Sequence, residues 1–165
     1  MARERRFSGK REKPEYDQKL LDLARVTRVV KGGRRFRFRA TLVIGNRKGR
    51  VGVGVGKGTD VSDSIKKAFE DGKKHLVTVP MKGGTIPFDI KFKMGSARII
   101  LKPASPGKGI IAGGAIRSVV DLAGIKDIVS KSLGTANKLN VARATVAAFE
   151  ELKNLRTRKD RLAKV

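Results

Sequence analysis

From Leu20 onward, apolar and polar residues alternate in short runs broken by glycine: LARVTRVV, KGG, RRFRFRATLVI, GNRKG and RVGVGVG. Period-two alternation between glycine turns predicts three strands joined by tight connections. In the second run Phe36, Phe38, Ala40, Leu42 and Ile44 share one face, while Arg35, Arg37, Arg39 and Thr41 share the other. The first face is expected in the core, and the second is expected to be cationic. In the third run Val51, Val53 and Val55 line one side and Gly52, Gly54 and Gly56 the other. Such a strand has no side chains on its second surface, so another body can approach its backbone closely.

After Thr59, read as an N-cap, the segment DVSDSIKKAFEDGKKHL places Val61, Ile65, Ala68, Phe69 and Leu76 at helical spacing. Lys66 and Lys67 project from the polar side, and Lys73, Lys74 and His75 in the last turn suit the helix dipole. The first unit reads β-β-β-α. Near Pro80 the pattern restarts with VTVPM and continues through GGTIPFDIKFKMGSARIILKPASPGKG, a series of short strands. AIRSVVDLAG then ends on a glycine cap, IKDIVSKSLG is strand-like, and Asn140 is placed to cap VARATVAAFEELKNL with its stripe of Val141, Ala144, Ala148, Phe149 and Leu152. The second unit reads β-β-β-α-β-α. The expected organisation is an α+β chain: an arm over residues 1–18, a three-stranded antiparallel sheet with one helix over 19–80, an α/β domain over 81–155, and a tail over 156–165. Arm and tail are short, basic and apolar-poor, and are expected to be flexible.

Charge turns this fold reading towards a partner. The 165 residues include 39 Lys and Arg against 15 Asp and Glu, a net charge of +24 with the single His neutral. Residues 19–80 alone hold 16 basic against 5 acidic side chains. A solubility-driven surface of a small domain carries a net charge of only about 2–8. The field here is large enough to draw in a polyanion at near diffusion-limited rates, which makes nucleic acid the first candidate. Membrane adsorption favours a bulky apolar helix face with interfacial Trp, and the chain has no Trp and one Tyr. No run approaches the roughly 18 apolar residues of a membrane span, and no apolar segment follows the basic N-terminus. The absence of Cys excludes disulfides, thiolate metal sites and cysteine nucleophiles, and one His removes most acid–base designs.

The glycine-rich stretches invite a nucleotide reading that their spacing does not meet. In GRVGVGVGKGT, Val51 stands where a Walker loop needs its first glycine, and Gly58 follows Gly56-Lys57 where a Ser or Thr is required. Gly107, Gly109 and Gly113 form a GxGxxxG, but Lys131 lies where a ribose-binding acid is expected and Pro103 and Pro106 interrupt the approach. His75 has lysine neighbours and no orienting acid. Asp60, Asp63, Glu70 and Asp71 line a helix flank without His or Cys, so no metal or cofactor is expected. The positive signal is KGGRRFRFR, where Lys31, Arg34, Arg35, Arg37 and Arg39 surround a glycine turn, with Arg25, Arg28 and Lys57 extending the cationic set. Guanidinium forks bind phosphate bidentately, and Gly32 and Gly33 let backbone approach RNA. With aromatic residues at 5% and Phe36 and Phe38 on the face opposite the Arg row, a stacking platform is not expected, and structured RNA recognised through its backbone fits better.

VKGGRRFRFRATLVIGNRKGRVGVGVGKG, GSARIILKPASPGKGIIAGGAIRSVVDLAGIKDI and NVARATVAAFEEL together resemble the family of bacterial-type ribosomal protein five of the small subunit, in order and spacing from Leu20 to Leu155. The chain departs from the family's Asn-Pro-x-Asn at Asn137-Lys138-Leu139-Asn140. The resemblance implies a first domain similar to a double-stranded-RNA-binding fold and a second, two-layer α/β domain with a left-handed crossover. It implies a structural, non-enzymatic constituent of the cytoplasmic small subunit. Its implied contacts are small-subunit (16S-type) ribosomal RNA and ribosomal proteins four and eight, and its implied role is to steady the head against the body. The loop Val30, Lys31, Gly32 and Gly33 is implied to approach the spectinomycin site. Lys108, Gly109 and Arg117 are implied to meet protein four, where decoding accuracy is set, and Arg47, Lys48 and Arg50 suit the channel through which mRNA enters. A free-standing duplex-RNA binder and a nucleotide enzyme are the alternative classes.

Overall fold

The computed structural model describes residues 15–162. Strands β1 (Asp17–Val30), β2 (Gly33–Gly45) and β3 (Arg50–Gly58) form an antiparallel meander, followed by helix α1 (Val61–Lys74) and a short β4 (Val77–Thr78). The sheet therefore has four strands, in the order β1-β2-β3-β4, where periodicity predicted three. Strand β4 pairs with β3 only at Arg50 and Val51, a length too short to show alternation, and it draws the start of VTVPM into the first sheet. The second sheet holds β5 (Ile90–Met94), β6 (Ala97–Pro103), β7 (Ile110–Ile111) and β8 (Ile128–Ser132) in the order β5-β6-β8-β7. Strands β7 and β8 are parallel and joined through α2 (Gly114–Ala123), and α3 (Lys138–Leu162) closes the chain.

Helix α1 lies on the glycine face of β3. Its buried residues are Ser64, Ala68 and Gly72, a line of small side chains one turn apart, while Ile65 and Phe69 of the expected stripe are half-buried at its flank. A Cβ on Gly54 would land on the Ala68 carbonyl and the Gly72 amide, and one on Gly56 would land on the Ser64 carbonyl and the Ala68 amide. The strand without side chains thus receives the chain's own helix, backbone against backbone. The Val55 amide, beyond the reach of β4, donates instead to Asp71 Oδ2 of the helix (2.9 Å).

The opposite face of the same sheet continues into the second unit. Val43, Val51 and Val53 belong to one core with Ile99, Leu101, Val119, Ala144, Phe149 and Leu152, so α2 and α3 pack against both sheets. The β2–β3 turn seals the joint. The Arg47 and Gly49 amides donate to the Leu122 and Ala123 carbonyls (2.9 Å each), which a helix C-terminus otherwise leaves unpaired. Gly124 caps α2 at φ +87°, as the terminal glycine predicted, and the Arg47 carbonyl leaves no room there for a side chain.

Several expected boundaries shift. Strand β1 begins at Asp17 and Tyr16 is buried, so the last residues of the expected N-terminal arm belong to the sheet, while residues 1–14 lie outside the described residues. Helix α3 runs to Leu162, so most of the expected tail is helical, and residues 163–165 lie outside the described residues. The N-cap of α1 is Asp60 rather than Thr59. Asn137 caps α3 in place of Asn140: its Oδ1 accepts from the Leu139 amide (3.1 Å) and its carbonyl from the Val141 amide. Lys138 opens the helix at a position that needs no amide donor, and its ammonium reaches Asp22 of β1 (3.3 Å).

The contact between β3 and α1 generates a stability prediction. Gly54→Ala should lower the free energy of unfolding by about 1–3 kcal/mol, the cost of overpacking a closed contact. Gly32→Ala, with nothing within 4 Å of the added methyl, should change it by less than about 0.5 kcal/mol. Urea titrations of the two variants against the parent chain measure both.

Candidate nucleic-acid interface

Strand β3 ends at Gly58, opposite Phe38, whereas β1 and β2 continue as a two-stranded ribbon through Val26↔Arg37, Thr27↔Phe36, Arg28↔Arg35, Val29↔Arg34 and Val30↔Gly33. Among the described residues no third strand pairs with this part, and the tip residues Val29 to Arg35 are exposed. Directly paired residues share a face, so register divides the cationic set. One face carries Arg28, Arg35 and Arg37, with Arg39 and Lys57 behind them. The other carries Arg25, Arg34 and Phe36. Arg34 and Arg25 therefore do not join the arginine row that the sequence grouped them with.

The first face is concave. Arg28, Arg35, Arg37 and Lys57 line a cavity of about 470 Å³ with Val26 and Val30 at its floor and rim. No ion pair found among the described residues involves any of these four cations. Arg28 and Arg35 are directly opposed, a like-charge cross-strand pair that destabilises the free sheet. Phosphate between them removes that repulsion and accepts bidentate hydrogen bonds from either fork. Arg39 differs: it is half-buried, lies 4.0 Å from Asp22, and its buried Nε has no hydrogen-bond partner among the described residues.

Phe36 is 44% exposed, which corrects the expectation that it lies in the core. Alternation placed it on the face of Ala40 and Leu42, and that is where it lies, but α1 and β3 stop short of it. The Arg25 guanidinium covers one side of its ring at 3.6 Å from the centroid. The signal for this was the length mismatch between the second and third apolar runs, which leaves the far end of the second run unaccompanied.

The remaining candidate residues occupy other parts of the molecule. Arg47, Lys48 and Arg50 sit in or beside the β2–β3 turn, at the end of the sheet away from the ribbon tip. Asn46 Oδ1 accepts the Lys48 and Arg50 amides there (2.8 and 3.0 Å), and Arg47 is tied through its Nε to Asp17 (2.9 Å), leaving Lys48 and Arg50 as the free exposed cations of the turn. Lys108 is exposed ahead of β7, and Arg117 is exposed in the first turn of α2. Gly109 between them, at φ +75°, donates its amide to Asp127 Oδ1 (2.8 Å). The amide that a dinucleotide loop would offer to a phosphate is thus held by the chain's own carboxylate. The glycines of β3 are closed by α1, so that stretch presents no nucleotide cradle, while the glycines of the second stretch stay uncovered apart from the engaged Gly109 amide.

Two family models cover almost all of the described chain in the same order as its two sheets. The N-terminal domain of ribosomal protein S5 matches residues 16–80, and the C-terminal domain of ribosomal protein S5 matches residues 92–164. The chain belongs to the ribosomal protein S5 family. Relatives named small ribosomal subunit protein uS5 from Campylobacter jejuni serotype O:23/36 (strain 81-176), serotype O:6 (strain 81116 / NCTC 11828) and strain RM1221 are each 55% identical over 139 residues, covering 84% of this chain and 95% of the relative. S5 proteins are structural proteins and not enzymes.

In this S5-family chain the loop before β7 depends on one carboxylate. Asp127→Ala should strand the Gly109 amide and cost about 1–3 kcal/mol. Hydrogen exchange at residues 107–110 should accelerate more than at β2, as mass-resolved exchange of the full chain can measure.

Proposed function

We propose that this S5-family chain is a structural constituent of the small ribosomal subunit that binds small-subunit ribosomal RNA through the β1–β2 ribbon. The observation that carries the reading is the concave face of Arg28, Arg35, Arg37 and Lys57, four cations with no ion pair found among the described residues, on a projecting element. A ribbon of this width reaches into folded RNA, and the shared core holds it rigidly to the rest of the molecule. The exposed tip at Val30, Lys31, Gly32 and Gly33 is the part that reaches furthest, in keeping with a place near the spectinomycin site. Lys48 and Arg50 at the other end of the sheet suit the channel through which mRNA enters, with Arg47 braced on Asp17. Ribosomal proteins four and eight are the neighbouring proteins of this reading, with Lys108, Gly109 and Arg117 facing protein four, and its compartment is the cytoplasm.

The chain acts without chemistry, by biasing the conformation of the subunit. If the contact with protein four opens when cognate tRNA closes the subunit, weakening it by about 1.4 kcal/mol shifts that balance about tenfold. Lys108→Glu or Arg117→Ala should then raise misreading of near-cognate codons in a dual-reporter strain; normal miscoding with normal assembly would reject this role.

RNA binding itself has a direct test. The triple variant Arg28→Ala, Arg35→Ala, Arg37→Ala should lower the slope of log affinity against log salt by about two to three, since each lost phosphate contact removes about one unit. The parent chain should sediment with the small subunit at one copy and resist a high-salt wash, and the variant should be released. An unchanged slope, or a parent chain left at the top of the gradient, would overturn the proposal.

A further inference from the structure

The ribbon face opposite the phosphate cavity carries a different chemistry. Arg25 stacks flat enough on Phe36 to place its guanidinium carbon 3.6 Å from the ring centroid. Phe36 keeps 44% of its surface exposed, Val29 on the same face keeps 75%, and Leu23 behind Arg25 keeps 42%. Arg25 is exposed and appears in no ion pair found among the described residues. An apolar strip bearing the guanidinium planes of Arg25 and Arg34 lacks the directly opposed arginine pair that the concave face offers a phosphate. It matches the face of a nucleobase, which stacks on aromatic rings and on guanidinium planes alike.

We infer that Phe36 with Arg25 forms a stacking platform for an unpaired nucleobase, so that RNA clasps the ribbon on both faces. This rests on the RNA reading above and adds to it a chemical division of labour: phosphates on the face of Arg28, Arg35 and Arg37, a splayed base on the face of Phe36. The arginine is held on the ring before RNA arrives, which lowers the ordering cost of binding. Cross-strand diagonal placement supplies the geometry, because Arg25 opposes Phe38 and its long side chain leans across to Phe36.

The test uses the full chain and two RNA stem-loops that differ in one nucleotide, a bulged 2-aminopurine in one and a fully paired stem in the other. The parent should prefer the bulged RNA and quench its fluorescence on binding. Phe36→Leu and Arg25→Lys, which keep the apolar contact and the charge respectively, should each reduce that preference by about fivefold or more while changing affinity for the paired stem by less than about twofold. Arg35→Ala with Arg37→Ala should weaken both RNAs together and leave the preference intact. Equal binding of the two RNAs by the parent, or a Phe36→Leu chain with the parent's preference and quenching, would overturn the platform while leaving the RNA reading standing. A parent chain that binds neither RNA would overturn both. Arg25→Lys, a change on an exposed side chain, separates a lost platform from a folding defect in Phe36→Leu.

Discussion

The close contact between α1 and the glycine face of β3 sets the geometry of everything around it. Ser64, Ala68 and Gly72 admit the helix only where Gly52, Gly54 and Gly56 face it, so the helix has one place to lie. That place covers β2 over Ala40 and Leu42 and stops before Phe36. The same alternation turns Val51 and Val53 to the other side, where they join the core shared with α2 and α3. A strand with valine on one face and glycine on the other thus binds a helix by shape and a second layer by apolar burial. What neither layer reaches is the ribbon.

Charge follows the same partition. Acidic residues of the first sheet sit at its joints: Asp17 with Arg47, Asp22 with Lys138 and Arg39, and Asp121 of α2 with Lys19. These are exposed or half-exposed pairs that contribute little stability each, about 0.2–1 kcal/mol. Their larger effect is to neutralise the cations near the joints and leave those of the ribbon uncompensated. A net charge of +24 therefore does not spread evenly. It concentrates on a rigid projection, where opposed Arg28 and Arg35 repel each other until an anion separates them.

For the proposed role of holding RNA in place, rigidity matters as much as charge. The turn between β2 and β3 closes the unpaired carbonyls at the end of α2, and Lys138 brings the start of α3 to β1. The two sheets therefore share one core, and packed helices rather than a linker lie between the ribbon and the loop of Lys108 and Gly109.

The strand and helix order of the second unit, the three long strands of the first, the left-handed cap at Gly124 and the polyanion partner class are legible in the chain before it folds, because alternation, glycine placement and charge are local or additive properties. The KGGR turn, the Gly-Val strand and the PASPGKGIIAGG segment were specific enough to place the family as well. Only the tertiary structure decided which glycines were open and which were filled, because the occupant of the β3 face comes from the following helix and that of the Gly109 amide from Asp127, 18 residues on. It also decided that Phe36 is exposed and that Arg25 and Arg34 leave the arginine row. Parity assigns a side chain to a face of its own strand, but cross-strand register and the extent of the covering layers are long-range facts, and they determine whether that face is core, cationic cavity or exposed apolar strip.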